Sequence, residues 1–232
     1  MRLAAALPAL AAAVPAAADG ACDPTGRACF AGPVDRYGRR VLGETPEWSR
    51  LTLDGAEAAL PAPRVFEDLA PRLIETTEGL AAVVVESDAE DGARLALYAV
   101  RGGALRMVAA TPPIGTRFRW LAPVGVADFS GEGALEIAYV ERPHLAGLLR
   151  VWRLTADGLV EVARPERGFS NHRIGEAVIA SALRDCGGAV EMILPDFGWT
   201  GLRAARVEGG AIRWREVPGE PTPEGVAEAA RC

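Results

Sequence analysis

Three stretches of the chain repeat one pattern of apolar and polar positions. They are LALYAVRGGALRMVAA (Leu95 to Ala110), LRVWRLTADGLVEVAR (Leu149 to Arg164) and LRAARVEGGAIRWREV (Leu202 to Val217). Each runs as an apolar-alternating segment, a Gly or Asp-Gly turn and a second alternating segment, which predicts a β-hairpin. Tyr98, Trp152 and Ala205 fall at equivalent places, as do Leu105, Leu159 and Ile212, giving a period of about 54 residues. The segment before each hairpin repeats as well. Glu78-Gly79 precedes AAVVVES, Glu132-Gly133 precedes ALEIAYVE, and Asp185-Cys186-Gly187-Gly188 precedes AVEMILPD, each a turn followed by a strand.

Upstream, WSRLTLDGAEAALP (Trp48 to Pro61) forms a weaker fourth hairpin. A repeat of this length matches the blades of β-propellers, whose units stack because none buries its apolar faces alone. The expectation is an all-β fold, a small propeller-like repeat domain of about four blades, with a short helix at its C-terminal end. Helical period is confined to Leu69 to Ile74 and to Pro223 to Ala230, the latter capped by Thr222 with Pro223 in the first turn. Residues 19–232 then make one globular domain: an N-terminal loop and degenerate blade over 19–63, repeat blades over 64–219, and a helical tail over 220–232.

Residues 1–18 read as an export signal. Arg2 supplies the positive start, Leu3 to Ala17 an apolar run, and Ala16-Ala17-Ala18 small residues for cleavage near Ala18. This run is too short and too rich in alanine for a membrane span. The residues before Cys22 do not form a lipid-attachment leader. A periplasmic or secreted protein follows, and in such a compartment four cysteines suggest disulfides. Cys22 and Cys29 enclose a Pro-Gly turn and suit a local bridge, which leaves Cys186 to Cys232. All 25 basic residues are Arg; Lys and Gln are absent. Lysine Schiff bases, P-loop lysines and Ser-Lys dyads are therefore excluded. A net charge of −6 with scattered arginines speaks against nucleic acid or anionic membranes as partners, and no later segment predicts membrane insertion.

The stretch VADFSGEGALEIAYVE (Val126 to Glu141) carries the clearest chemistry. Asp128, Ser130, Glu132 and Glu136 occupy positions 1, 3, 5 and 9 of a loop, with Gly131 and Gly133 between them. Alternate oxygen side chains in a tight turn can converge on one hard cation, and glycines let the backbone curl around it. The competing reading is an Asp/Gly turn held by hydrogen bonds. This loop resembles the D-x-D-G-D-G-x-x-D/E calcium loop of FG-GAP (VCBS) repeats, the units of integrin-like propellers. From Arg64 onward the chain looks like small exported FG-GAP/VCBS repeat proteins of alphaproteobacteria, through RVFEDLAPRL, GTRFRWLAPVGVAD, YVERPHLAG, NHRIG and RDCGG. The resemblance implies a calcium ion on Asp128, Ser130, Glu132 and Glu136. Ser130 and Glu132 depart from the family's aspartates, and the sister loops have lost the pattern.

Arg117, Arg119, Trp120, Asn171, His172 and Arg173 fall at roughly matching places in successive units, and His144 follows the central strand. On one rim they would form a site for a carboxylate, phosphate or sugar. The alternative is that the arginines pair with Glu86, Asp88 and Glu141 and that Trp120 is core. Trp152, Trp199 and Trp214 read as strand residues between blades. Ser170 with His172 lacks the second glycine of a nucleophile elbow. The expectation is a non-catalytic binding module that takes a protein or small ligand at its rim. Its alternative is a periplasmic hydrolase or lyase using His172 and neighbouring arginines.

Overall fold

The computed structural model describes residues 20–232; the export signal expected over residues 1–18 lies outside them. The N-terminal part contributes β1 (Ala28–Val34), β2 (Glu47–Leu53), β3 (Ala56–Ala59) and β4 (Val65–Phe66). Three antiparallel meanders follow. The first is β5 (Arg72–Thr76), β6 (Gly79–Asp88), β7 (Gly92–Arg101) and β8 (Ala104–Ala110). The second is β9 (Leu121–Ala127), β10 (Glu136–Glu141), β11 (Leu148–Thr155) and β12 (Gly158–Glu161), with β13 (Glu166–Arg167) also on β11. The third is β14 (Ala182–Arg184), β15 (Glu191–Pro195), β16 (Leu202–Glu208) and β17 (Ala211–Val217), followed by helix α1 (Pro223–Ala229).

The register bears out the repeat. Tyr98 faces Met107, Trp152 faces Glu161 and Ala205 faces Trp214; likewise Val100 faces Leu105, Leu154 faces Leu159 and Val207 faces Ile212. Thr222 accepts the Gly225 amide at 3.1 Å and caps α1 as expected.

The all-β architecture with one short helix holds, but four separate blades do not form. The described strands make three sheets, all open. The N-terminal unit is absorbed into the first: β4 pairs with β6 at Val65 to Ser87 and Phe66 to Glu86, beyond the end of β5. From there β1, β2 and β3 fold over the face of β6 and β7. Leu69 to Ile74 is not helical. Pro71 and the pairing of Arg72 with Val83 draw it into β5.

The middle strands of the sheets are buried on both sides. Along β10, Ile137 and Tyr139 pack against the first sheet while Ala138 and Val140 pack against the third. Along β6, Val83 and Val85 face the second sheet and Ala82 and Val84 face the N-terminal strands. Burial on both faces explains why AAVVV and EIAYV read as continuous apolar runs. Val226 of α1 covers part of the outer face of the third sheet, over Ile193 and Ala204. The disulfides are the expected pairs, Cys22–Cys29 and Cys186–Cys232. They fit a secreted or periplasmic protein. No helix among the described residues is long and apolar enough to cross a membrane.

Strand direction defines two rims. The turns β5–β6, β9–β10, β14–β15 and those closing the three hairpins lie at one end, here called the turn rim. The β6–β7, β10–β11 and β15–β16 turns and the links between meanders lie at the other, the link rim. Arg39 to Glu44 belongs to the link rim. The Gly175 amide donates to Val41 O at 2.9 Å, and Val41 and Leu42 enter the core between the first two sheets. Gly43 makes this approach possible, since a Cβ there would lie 2.5 Å from Gly175 O.

Candidate functional site

Trp120, His144 and His172 meet at the link rim. Trp120 immediately precedes β9, His144 sits in the β10–β11 turn, and His172 lies in the link from β13 to β14. His144 stacks on Trp120 with centroids 6.2 Å apart at 6°, and His172 meets Trp120 edge-on at 4.8 Å. Trp120 Nε1 donates to Glu67 O at 3.0 Å. His172 Nε2 lies 2.8 Å from Glu176 O, and His172 Nδ1 lies 2.8 Å from His144 Nε2. A carbonyl only accepts, so neutral His172 carries its proton on Nε2 and accepts on Nδ1. His144 then donates from Nε2, and its Nδ1 is the one lone pair the pair leaves free.

Burial sets the electrostatics. Desolvation, then the neighbouring His172, pushes His144 down to about 4. Desolvation also lowers His172, against the Glu176 carbonyl. His172 and Asn171 are sealed from solvent. Asn171 Nδ2 donates to Ala122 O and Pro123 O. The Ser170 hydroxyl lies 3.2 Å from Pro143 O and 3.3 Å from His172 O, so its single proton goes to carbonyls rather than to an imidazole.

The arginines expected beside this cluster are elsewhere. Arg117 stacks 4.6 Å over Phe118, which Arg39 also approaches at 6.0 Å. Arg173 stacks 4.3 Å over Trp199, which lies in a turn at φ 56° and not in a strand. Arg119 is half-buried, and its carbonyl accepts the Ala93 amide at 2.7 Å. Glu86 and Glu141 are taken by Arg64, Arg94, Arg142 and Arg150. Trp120 and Trp152 are core, whereas Trp214 is partly exposed and carries Arg203 at 3.9 Å.

Asp128, Ser130, Glu132 and Glu136 lie at the turn rim. Glu136 is fully buried and accepts the Ser130 amide at 2.9 Å and its hydroxyl at 2.8 Å. Arg153, directly opposite Glu136 in the β10–β11 register, donates to Glu136 at 2.6 Å, to Ser130 Oγ at 3.0 Å and to Glu132 at 2.7 Å. Desolvation raises Asp128, but amides of Gly133, Glu132 and Gly131 outweigh it and hold the carboxyl below its usual range. Three of the four expected calcium ligands thus serve a guanidinium and the fourth serves backbone amides. As arranged, their oxygens face these donors and do not converge on a metal ion. Among the described residues no group of three or more His, Cys, Asp or Glu is placed to hold a metal.

Beside this loop a cleft of about 770 Å3 separates the first and second sheets. Ala81, Leu97, Val108, Ala127, Leu135 and Leu154 line it, and Glu75, Glu78, Asp128 and Asp157 contribute carboxylates against the single guanidinium of Arg101. Arg101 is held by Glu78 at 2.7 Å. No family model, curated protein or solved structure matches the chain.

Arg153→Gln leaves Glu136 a buried charge without its cation, and is expected to cost about 3 kcal/mol in urea unfolding; a loss below about 0.5 kcal/mol, the size of ordinary surface changes, would contradict the pairing. The histidine pair predicts a pH effect. Its folded-state values lie below the ordinary 6.5, so its contribution is complete above pH 6.5 and declines as pH falls toward about 4. Unfolding free energy followed across that window is expected to fall less steeply in His144→Gln than in wild type.

Proposed function

We propose that this chain is an exported, non-catalytic repeat protein of FG-GAP/VCBS type that binds a ligand in the cleft between its first two sheets. The observation that carries this reading is the cleft itself. Its volume of about 770 Å3 lies in the range of small-ligand sites, and an apolar floor with a few polar groups at its edge is the composition such sites have. With four carboxylates to one arginine, the ligand that suits it has an apolar body and a cationic or hydrogen-donating end, such as an organic amine or a short basic peptide.

The hydrolase alternative has less support. His172 is sealed, both of its nitrogens are engaged, and the nearby serine hydroxyl is turned to carbonyls. Calcium is a separate proposal that requires Arg153 to leave the Asp128–Glu136 loop, and the binding reading does not depend on it.

Backbone NMR of the oxidised protein against a library of organic amines and tetrapeptides containing arginine tests the proposal. Ligands are expected to shift the amides of Ala127, Leu135, Leu154 and Ala156. Ala156→Trp, at an exposed turn position on the cleft, is expected to weaken them roughly tenfold, about 1.4 kcal/mol. Shifts centred on His144 and His172, accompanied by turnover of an ester or amide, would favour the hydrolase instead.

A further inference from the structure

The outer face of the third sheet carries a row of arginines that the cleft does not use. Arg184 on β14 pairs with Glu191 on β15, and Arg206 on β16 pairs with Arg213 on β17. Met192 faces Ala205, which sets Glu191 and Arg206 on the next rung and completes one line across all four strands. Arg215 lies two residues from Arg213 on the same face, opposite Ala204. Glu191 accepts from Arg184 at 2.5 Å and from Arg215 at 2.9 Å, and Glu208 pairs with Arg206. Arg213 has no ion-pair partner among the described residues.

Like charges directly opposite one another on a sheet are destabilising. Arg206 and Arg213 nonetheless stand opposed, in a chain whose net charge is −6. These side chains surround a depression of about 330 Å3, given room by Gly188 and Ala204. It is bounded rather than continuous. The Cys186–Cys232 disulfide stands at its edge, and Arg184, on its wall, also donates to Ala229 O of α1 at 3.0 Å.

We infer that this depression is a binding site for a small molecule bearing two or more oxyanion groups, phosphate or carboxylate. Guanidinium forks bind both groups bidentately. An anion between Arg206 and Arg213 replaces their repulsion with charge-assisted hydrogen bonds, while Glu191 competes with it for the flanking Arg184 and Arg215. The size of the depression suits a compact ligand rather than a polymer. The site lies on a different sheet from the proposed cleft and stands or falls independently of it.

Titration calorimetry of the oxidised protein with inorganic pyrophosphate and with citrate, at an ionic strength fixed by sodium chloride, tests the site and separates its two ligand sources. One-to-one binding of pyrophosphate over citrate assigns a phosphate ligand, and the reverse assigns a polycarboxylate. The double variant Arg206→Gln/Arg213→Gln is expected to weaken binding at least about tenfold without lowering the melting temperature, because both side chains are exposed and their mutual repulsion is removed. Arg106→Gln, an exposed arginine on the first sheet, is expected to leave binding intact. Glu191→Gln, which removes the one carboxylate lining the depression, is expected to tighten it. No heat above the salt control with either anion, or binding that survives the double variant, would overturn the site.

Discussion

The middle strands β6, β10 and β15 are apolar on both faces, and that constraint organises the rest. A sheet so built cannot stand alone in water, because covering one face leaves the other exposed. The first sheet therefore needs the N-terminal strands on one side and the second sheet on the other. The third sheet needs the second sheet and α1. Stacking has to end somewhere, and both ends carry a disulfide: Cys22–Cys29 beside the entry to β1 and Cys186–Cys232 fastening the segment that holds α1. Such bridges act mainly by restricting the unfolded chain, and they suit layers that have a neighbour on only one side.

With the faces committed to packing, chemistry is left to the two rims and to the outer face. The link rim is occupied by a largely buried aromatic and imidazole cluster and by the strap from Arg39 to Glu44, which together read as a plug. The turn rim stays open between the first and second sheets, where the acidic loop forms one wall of the cleft. Arginine serves throughout where other proteins use both basic residues. Its planar fork lets one side chain satisfy several oxygens, as Arg153 does for Ser130, Glu132 and Glu136.

Much of this was legible in the sequence, for identifiable reasons. Hairpins at Leu95, Leu149 and Leu202 announce themselves because alternation and Gly turns are local, and the observed register pairs the very positions that repeat. Both disulfides followed from spacing and elimination. Blade number was not legible: one extra pairing, β4 on the far end of β6, merges a would-be fourth unit into the first sheet, and nothing local to Val65 or Phe66 signals it. Trp199 reads as a strand residue by periodicity, yet a left-handed backbone turns it out to meet Arg173. Trp120 and His172 converge as their matching places in successive units imply, and His144 joins them from the β10–β11 turn, while Arg117 and Arg173 are drawn off to Phe118 and Trp199. Arg153 is the instructive omission. The acidic loop pattern points to a cation, and the cation supplied is a guanidinium from the facing strand, visible only once Glu136 and Arg153 are paired in register.

Mutual dependence of the layers is most directly tested by native-state hydrogen exchange of the oxidised protein. The slowest amides of β6, β10 and β15 are expected to open with one common free energy, equal to that of global unfolding. If β15 and its neighbours opened well below β6 and β10, the third sheet would be an independent unit and the shared-core account would fail.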